Sequence, residues 1–374
     1  MSDISTKKLF MIINSLECGG AERVFSIVLR QMVEMGVNVH LILLDDSEIF
    51  YKLPDGIKMH NLNTDNIIKA AVKLLKLASI YKPDVMLSFL HRSNYINVIC
   101  HLLYRKYYCV ISERTYTSKR FASGMKSMVN RMMIKILYPR CNSIIVVSDD
   151  IKIDLRKNYG IEKKVHSIAN PYDISSIIKM ANDNNIVVGK KYICYVGRLE
   201  PVKSVETLIG AYIDSNLDED LVIVGTGTQE KDLKALAFSS DKSDKIHFVG
   251  QQDNPFPIVK HSTCFVLSSL YEGFPNAMVE AMCLGIPIIA SDCASGPGTI
   301  LGGSALNHNA VLAKYGVLFP VSNKDALKNA LEMVCHNSDL QAKLKELSIK
   351  RSKEYSVEKI THAYQQIIFR RCSK

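Results

Sequence analysis

The sequence has no C-x-x-C pair, no low-complexity tract and no internal repeat. It also lacks any predominantly apolar stretch of the roughly 20 residues needed to cross a bilayer. Each absence removes a class of protein. Ten cysteines are present but scattered, several inside apolar runs where a free thiol acts as a small hydrophobe, so neither a zinc site nor a disulfide framework is expected. Reduced thiols fit a cytosolic setting. The mixed composition argues against disorder. The opening stretch, MSDISTKKLFMIINSLECGGAER, has a short apolar run followed at once by charges and does not read as a signal peptide.

What is present is enough for two cores: 374 residues, of which 47% are hydrophobic. The net charge of +10 is uneven, with 25 Lys and Arg against 15 Asp and Glu in residues 1–168 and 22 against 22 in the remainder. One half of the chain is therefore suited to meet something anionic.

Apolar runs alternate with helical segments along the whole chain. Strands are expected at 8–16, 37–46, 84–90, 109–113 and 143–149, with a helix over 19–36 stopped by Gly36. After the polar stretch 181–185 the alternation restarts, with strands at 192–200, 221–227, 245–251, 264–273 and 316–320. Continuous Val/Ile/Leu strands separated by helices mean parallel sheets covered on both faces, here two α/β domains in series. Ligands of such sheets bind beyond the C-terminal strand ends, and with two domains the cleft between them is the expected site.

Four strand-end loops carry anion-friendly chemistry. In YEGFPNAMVEAMCLGIPIIASDC (271–293), Glu272 precedes a helix expected over 275–284 and Glu280 lies within it. The helix start suits a phosphate, and the two carboxylates suit sugar and ribose hydroxyls. Solvated or capping acids are the plainer alternative. In VGRLEPVKS (196–204), Arg198 and Lys203 flank a turn at Pro201 and suit a diphosphate leaving group; a solvated loop is the alternative. Gly19 and Gly20, in LECGGAER, and Gly225 and Gly227, in VIVGTGTQEKDL, each sit between strand and helix, where backbone can approach a phosphate or can simply turn. The first pair is not the dinucleotide fingerprint.

Together these loops resemble a known family. The chain is similar throughout to retaining glycosyltransferases of family 4, through Glu272-GFPNAMV-Glu280 and then AMCLGIPIIASD, with GGAER, VGRLEPVKS, GTG and IANPYD in the family's order. That resemblance implies the GT-B fold: two Rossmann-like parallel-sheet domains facing across a cleft. It implies an acceptor-binding domain at 1–172, a nucleotide-sugar-binding domain at 173–351, and a segment at 352–374 whose helix crosses back to the first. By resemblance Arg198 and Lys203 hold the diphosphate and Glu280 the ribose. Glu272 with Gly273, Phe274, Pro275 and Asn276 contacts the sugar and phosphates, and Gly20 approaches the diphosphate. Many relatives carry a histidine at a strand end of the first domain; here the candidates are His91, Glu113 and Arg114. HLILLDD, LYPRCNSI and DNPFPIVKHS further resemble N-acetylgalactosamine transferases of bacterial N-glycan pathways, which implies a UDP-GalNAc donor and a lipid-linked glycan acceptor. A surface-polysaccharide (O-antigen or capsule) role would use the same chemistry.

Stabilising a departing diphosphate with fixed cations needs no metal, and no cofactor is expected. The single D-x-D string, Asp218-Glu219-Asp220, precedes a strand and reads as a solvated loop. YRKYY (104–108) and MKSMVNRMMIKILYPR (125–140) mix bases with Tyr, Met and Leu, as segments at an anionic membrane surface do. The expected location is the cytoplasm, at the inner face of the plasma membrane. A nucleic-acid role lacks any motif. A sugar-nucleotide epimerase and a non-catalytic nucleotide-sugar-binding protein are the alternatives.

Overall fold

A computed structural model describes residues 4–183, 191–305 and 308–369. The chain forms two compact units, one of residues 1–172 with 357–374, the other of residues 173–356.

Unit 1 holds seven strands: β1 (Lys8–Ile13), β2 (Asn38–Leu43), β3 (Lys58–Asn61), β4 (Val85–Phe89), β5 (Tyr108–Glu113), β6 (Ser143–Val146) and β7 (Val165–Ser167). They pair in the order β3-β2-β1-β4-β5-β6-β7, all parallel. The helices are α1 (Gly20–Glu34), α2 (Ile67–Tyr81), α3 (His91–Leu103), α4 (Thr117–Arg120), α5 (Met125–Leu137) and α6 (Asp149–Tyr159). Parallel pairing forces a crossover after each strand, so every strand ends on the same edge of the sheet. Strand order reverses between β1 and β4, and the loops after those two strands flank the gap where ligands of such sheets sit.

Unit 2 repeats the plan. It runs α7 (Ile174–Met180), β8 (Tyr192–Val196), α8 (Val205–Ile213), β9 (Asp220–Val224), α9 (Glu230–Phe238), β10 (Ile246–Gly250), α10 (Phe256–Lys260) and β11 (Cys264–Leu267). It continues with α11 (Asn276–Cys283), β12 (Ile288–Ser291), α12 (Pro297–Leu301), β13 (Val311–Leu312), β14 (Val317–Phe319), α13 (Lys324–Cys335) and α14 (Ser338–Ser352). The sheet order is β10-β9-β8-β11-β12-β14-β13, with β13 antiparallel at the edge and the reversal between β8 and β11.

The last helix, α15 (Val357–Ile368), belongs to unit 1. Its Tyr364 is fully buried and stacks on Phe89 at 6.3 Å, in a core shared with Phe25 and Leu29 of α1. The return to unit 1 starts at Val357 rather than at 352. Tyr355 fixes the intervening turn in unit 2, edge-on to Phe274 at 5.9 Å and beneath the Arg351 guanidinium at 5.1 Å. The expected strands at 8–16, 37–46 and 264–273 end earlier, at Ile13, Leu43 and Leu267, because their last residues form the strand-end loops. Strands β3 and β7 carry no apolar run to announce them and β13 spans only two residues; all three lie at sheet edges.

Past the ends of β8 and β9 the backbones stay paired. Gly197 N–H donates to the Val224 carbonyl at 3.0 Å and Leu199 N–H to that of Thr226 at 2.8 Å. This approach is why glycine stands at 225 and 227. A Cβ on Gly225, whose φ is +133°, would lie 2.0 Å from the Gly197 carbonyl oxygen, and one on Gly227 2.4 Å from that of Leu199. Gly225→Ala and Gly227→Ala are therefore expected to destabilise unit 2 by about 3 kcal/mol or more, through overpacking against backbone and, at 225, a forbidden φ. Chemical denaturation of each variant checks this.

In unit 1, His40 is buried, stacked on His60 at 5.3 Å, with His40 Nδ1 3.1 Å from His60 Nε2. Burial, then His60, Lys58 and Lys8, pushes its pKa down from 6.5 to about 4. The folded imidazole stays neutral where the unfolded one takes a proton. Its contribution is thus complete above pH 6.5 and is lost as the pH falls towards 4. The whole effect amounts to at most about 3 kcal/mol. Urea titrations at pH 7 and 5 should show a loss that His40→Leu reduces.

Candidate functional site

The loops flanking the reversal in unit 2 bring two of the expected residues into direct contact. The chain leaves β8 through Gly197 and Arg198, then makes a 3-10 turn at Pro201–Lys203. It leaves β11 through Ser268, Ser269 and Leu270. The two loops are joined where Leu270 N–H donates to the Val202 carbonyl at 2.8 Å and Ser268 Oγ to the Lys203 carbonyl at 2.8 Å. That junction sets Lys203 Nζ 2.6 Å from Glu272 Oε1, a pair whose side chains are only 19% and 8% exposed. Ser269 Oγ donates to the same carboxylate oxygen at 2.6 Å.

The Glu272 loop is laced to the β12 end as well. Tyr271 bridges to Ala294, Glu272 N–H donates to the Ala294 carbonyl at 3.2 Å, and Ser295 Oγ donates to the Gly273 carbonyl at 2.8 Å. Pro275 packs on Gly296, where an added Cβ would come within 2.7 Å of its ring. Pro275 is the residue before α11 rather than its first, so the helix runs Asn276–Cys283 instead of 275–284. Its first turn carries no acidic side chain, which leaves the positive end of the helix dipole uncompensated by a carboxylate of that turn. Glu280 is 8% exposed and lies among buried neighbours of α11. Phe274 packs against Tyr355, so its ring has a structural task.

Arg198 is exposed, and its carbonyl accepts a hydrogen bond from Tyr195 Oη at 3.2 Å. Burial, followed by the Glu272 charge, holds the Tyr195 hydroxyl well above its ordinary value, with Arg198 opposing, so it remains a donor. Gly225 and Gly227 support the loop through the backbone approach described above. Thr228 completes that support, donating from its N–H and Oγ1 to Glu200 at 3.2 and 2.7 Å.

In unit 1 the loop after β1 is held by a residue the sequence gives no means of finding. Tyr51, 32 positions away, accepts from Gly19 N–H at 3.1 Å and donates to the Gly19 carbonyl at 2.8 Å. Both polar groups of Gly19 are thus engaged by the protein, while Gly20, the first residue of α1, is exposed.

Glu113 ends β5 and Arg114 follows it. Glu113 is 1% exposed, and its Oε1 accepts from Arg114 N–H at 2.9 Å, Thr115 N–H at 3.0 Å and Thr115 Oγ1 at 2.8 Å. Its Oε2 accepts from Tyr138 Oη at 2.6 Å. Three donors crowd Oε1 while Oε2 holds one, so a single acceptor site on Oε2 is left for a further donor. Arg114 donates to Tyr364 Oη at 3.0 Å and to Asn170 Oδ1, and stacks over Phe89 at 5.1 Å. It joins α15 and the IANPYD segment to the strand ends.

His91 begins α3 just after Leu90, whose φ of 71° and ψ of 149° fall in a region that favours glycine. Holding a leucine there costs about 1–3 kcal/mol. The imidazole meets Phe121 at 5.4 Å and Tyr95 at 6.0 Å. Burial lowers its pKa, the Glu113 charge opposes this, and Arg120 and Arg92 add to the lowering, so the ring is neutral at pH 7.

Asp218 of the D-x-D string is exposed and Asp220 pairs with His247 at 2.8 Å, at the N-terminal end of β9, away from the strand-end loops. Among the described residues no group of three or more His, Cys, Asp or Glu side chains is placed to hold a metal ion.

Residues 18–176 match the family described as Glycosyltransferase Family 4, and residues 176–351 match Glycosyl transferases group 1. The chain is 30% identical over 367 residues to the N-acetylgalactosamine-N,N'-diacetylbacillosaminyl-diphospho-undecaprenol 4-alpha-N-acetylgalactosaminyltransferase of Campylobacter jejuni, covering 95% of this chain and 97% of that one. Among solved structures it is similar to the sucrose-phosphate synthase of Thermosynechococcus elongatus, with TM-score 0.82 at 16% identity over 98% of this chain and 99% of the other. It is also similar to Anabaena HepE, solved with UDP and glucose, with TM-score 0.77 at 16% identity over 96% of this chain and 98% of that one. Two seven-stranded α/β sheets with ordered chemistry at their strand ends, and these matches along the whole chain, make it a GT-B glycosyltransferase belonging to family 4.

Proposed function

We propose that the enzyme transfers an N-acetylhexosamine, N-acetylgalactosamine in the first instance, from a UDP-linked donor to a polyprenyl-diphosphate-linked glycan, with retention at the anomeric carbon. The observation that carries this reading is the buried Lys203–Glu272 pair at the strand reversal of unit 2, next to α11 and Glu280. The Campylobacter relative's own activity, on an undecaprenol-diphosphate acceptor, supports the choice of sugar and acceptor.

In this reading unit 2 binds the donor. The anomeric C–O bond breaks with positive charge building on the sugar ring and negative charge on the β-phosphate. Arg198 and Lys203 stabilise that charge, and a preorganised cation in a poorly solvated site is worth far more than one in water. Glu280 accepts the ribose hydroxyls. Glu272 and the turn Gly273–Asn276 contact the sugar and phosphates. The acceptor hydroxyl attacks from the face that the UDP leaves. Unit 1 binds the acceptor, with neutral His91 and exposed Gly20 at its strand ends.

A lipid-linked acceptor requires the enzyme to work at a membrane surface. Among the described residues no helix is long and apolar enough to cross a membrane. Helix α5, however, turns Met125, Met128, Val129, Met132 and Ile136 outward, with Met125 80% and Met128 60% exposed. From Thr115 to Ser148 the sequence has six bases, Lys119, Arg120, Lys126, Arg131, Lys135 and Arg140, and no acid. An apolar stripe with basic flanks suits an anionic leaflet, where each base contributes about 1 kcal/mol.

Calorimetry with UDP, GDP and UDP-GalNAc in EDTA tests the donor. UDP-selective binding is expected, and a preference for GDP would discard the UDP assignment. Lys203→Ala and Glu280→Ala should each lower turnover by about 10²–10³-fold in a folded protein; normal turnover in both would remove the site assignment. Sedimentation with phosphatidylglycerol vesicles should show binding that falls with salt and is lost in Met128→Glu/Met132→Glu. Equal binding to phosphatidylcholine vesicles would count against the anionic surface.

A further inference from the structure

We infer that Ser269 is a positioning residue of the transfer reaction: its hydroxyl keeps the Glu272 carboxylate aimed when Lys203 turns to the donor diphosphate. The inference rests on the donor site proposed above.

Glu272 Oε1 holds two donors, Lys203 Nζ and Ser269 Oγ, each at 2.6 Å. They differ in how firmly they are held. Lys203 ends a flexible four-carbon stem and is 19% exposed. Its backbone is fixed, the carbonyl accepting from Ser268 Oγ at 2.8 Å, while its ammonium is held by Glu272. Ser269 is fully buried, and its carbonyl accepts from Ser291 Oγ of β12 at 2.6 Å. One donor ends a long side chain with four torsions and the other is held at the sheet edge.

A diphosphate offers Lys203 more negative charge than one carboxylate does. As the ammonium moves to the phosphates, Glu272 loses the partner that neutralises it. Burial makes a poorly hydrogen-bonded carboxylate costly, and the glutamate side chain has three torsions about which to drift. Ser269 remains on Oε1 and leaves the outer lone pairs directed towards a sugar hydroxyl. The neighbouring serines divide the task, Ser268 fixing the turn that carries the cation and Ser269 the anion.

The test separates binding of the nucleotide from use of the sugar. In Ser269→Ala, UDP affinity by calorimetry should stay within about twofold of the unmodified enzyme, since UDP carries no sugar for Glu272 to orient. The kcat for UDP release from UDP-GalNAc, or from the UDP-sugar that the calorimetric series selects, should fall about ten- to hundredfold, as expected for losing one hydrogen bond to a charged group. In a Glu272→Ala background the same serine change should alter kcat by less than about twofold, because residues acting through one another are not additive. Ser348→Ala removes an equally buried hydroxyl, bonded to the Ile286 carbonyl at 3.0 Å, and should change neither quantity. An equal loss of UDP affinity and turnover in Ser269→Ala, or a full loss persisting without Glu272, would overturn the role of Ser269. Absence of UDP binding in the unmodified enzyme would overturn the donor site itself, and Ser269's role with it.

Discussion

Parallel strand pairing is the constraint on which this molecule depends. It sends every strand of both sheets, apart from the antiparallel β13, towards one edge, and it leaves the chain there without a ladder to satisfy its polar groups. The strand-end loops of unit 2 answer by bonding to one another. Gly197 pairs with Val224, Leu199 with Thr226, Leu270 with Val202, and Glu272 with Ala294. Such mutual support demands close backbone approach, hence the glycines at 225 and 227. It also gives precision, because a side chain on a braced loop has few ways to move.

The Lys203–Glu272 pair sits on that bracing. Taking both charges out of water costs several kcal/mol per ion, and their attraction only roughly returns it. As a stabilising element the pair is therefore poor. In the proposed reading its value lies in holding two opposite charges ready in a site with little water, where each can be redirected to a ligand group of opposite character. An apolar pair of the same volume would pack as well and do none of this.

Much of the architecture was legible in the sequence, because buried parallel strands read as continuous apolar runs and the Glu272–Glu280 spacing, taken with the other strand-end loops, carries a family resemblance. The limits were equally physical. β3 and β7 are short strands without an apolar run, so no periodicity marks them. Lys203 and Glu272 were both legible as ligand groups, but their contact spans 69 positions and arises from the sheet order. Tyr51 meets Gly19 for the same kind of reason, and nothing near residue 51 announces it. Tyr355 holds the final turn by tertiary packing, which moves the return to unit 1 from 352 to Val357.

Glu113 and Glu272 show why burial alone does not mark a reactive carboxylate. Glu113 ends β5 and Glu272 lies in the loop beyond β11, and both are under a tenth exposed. Glu113 takes two of its four hydrogen bonds from backbone N–H groups, a third from the Thr115 hydroxyl and the fourth from fully buried Tyr138. Glu272 takes one bond from a fixed serine and one from a lysine on a flexible stem. In the proposed reading, a carboxylate whose principal partner ends a flexible stem can exchange that partner for substrate, and the buried charge then favours recognition in unit 2. Glu113 and Arg114, by contrast, tie the end of β5 to its own loop, to Tyr138 and to the returning helix.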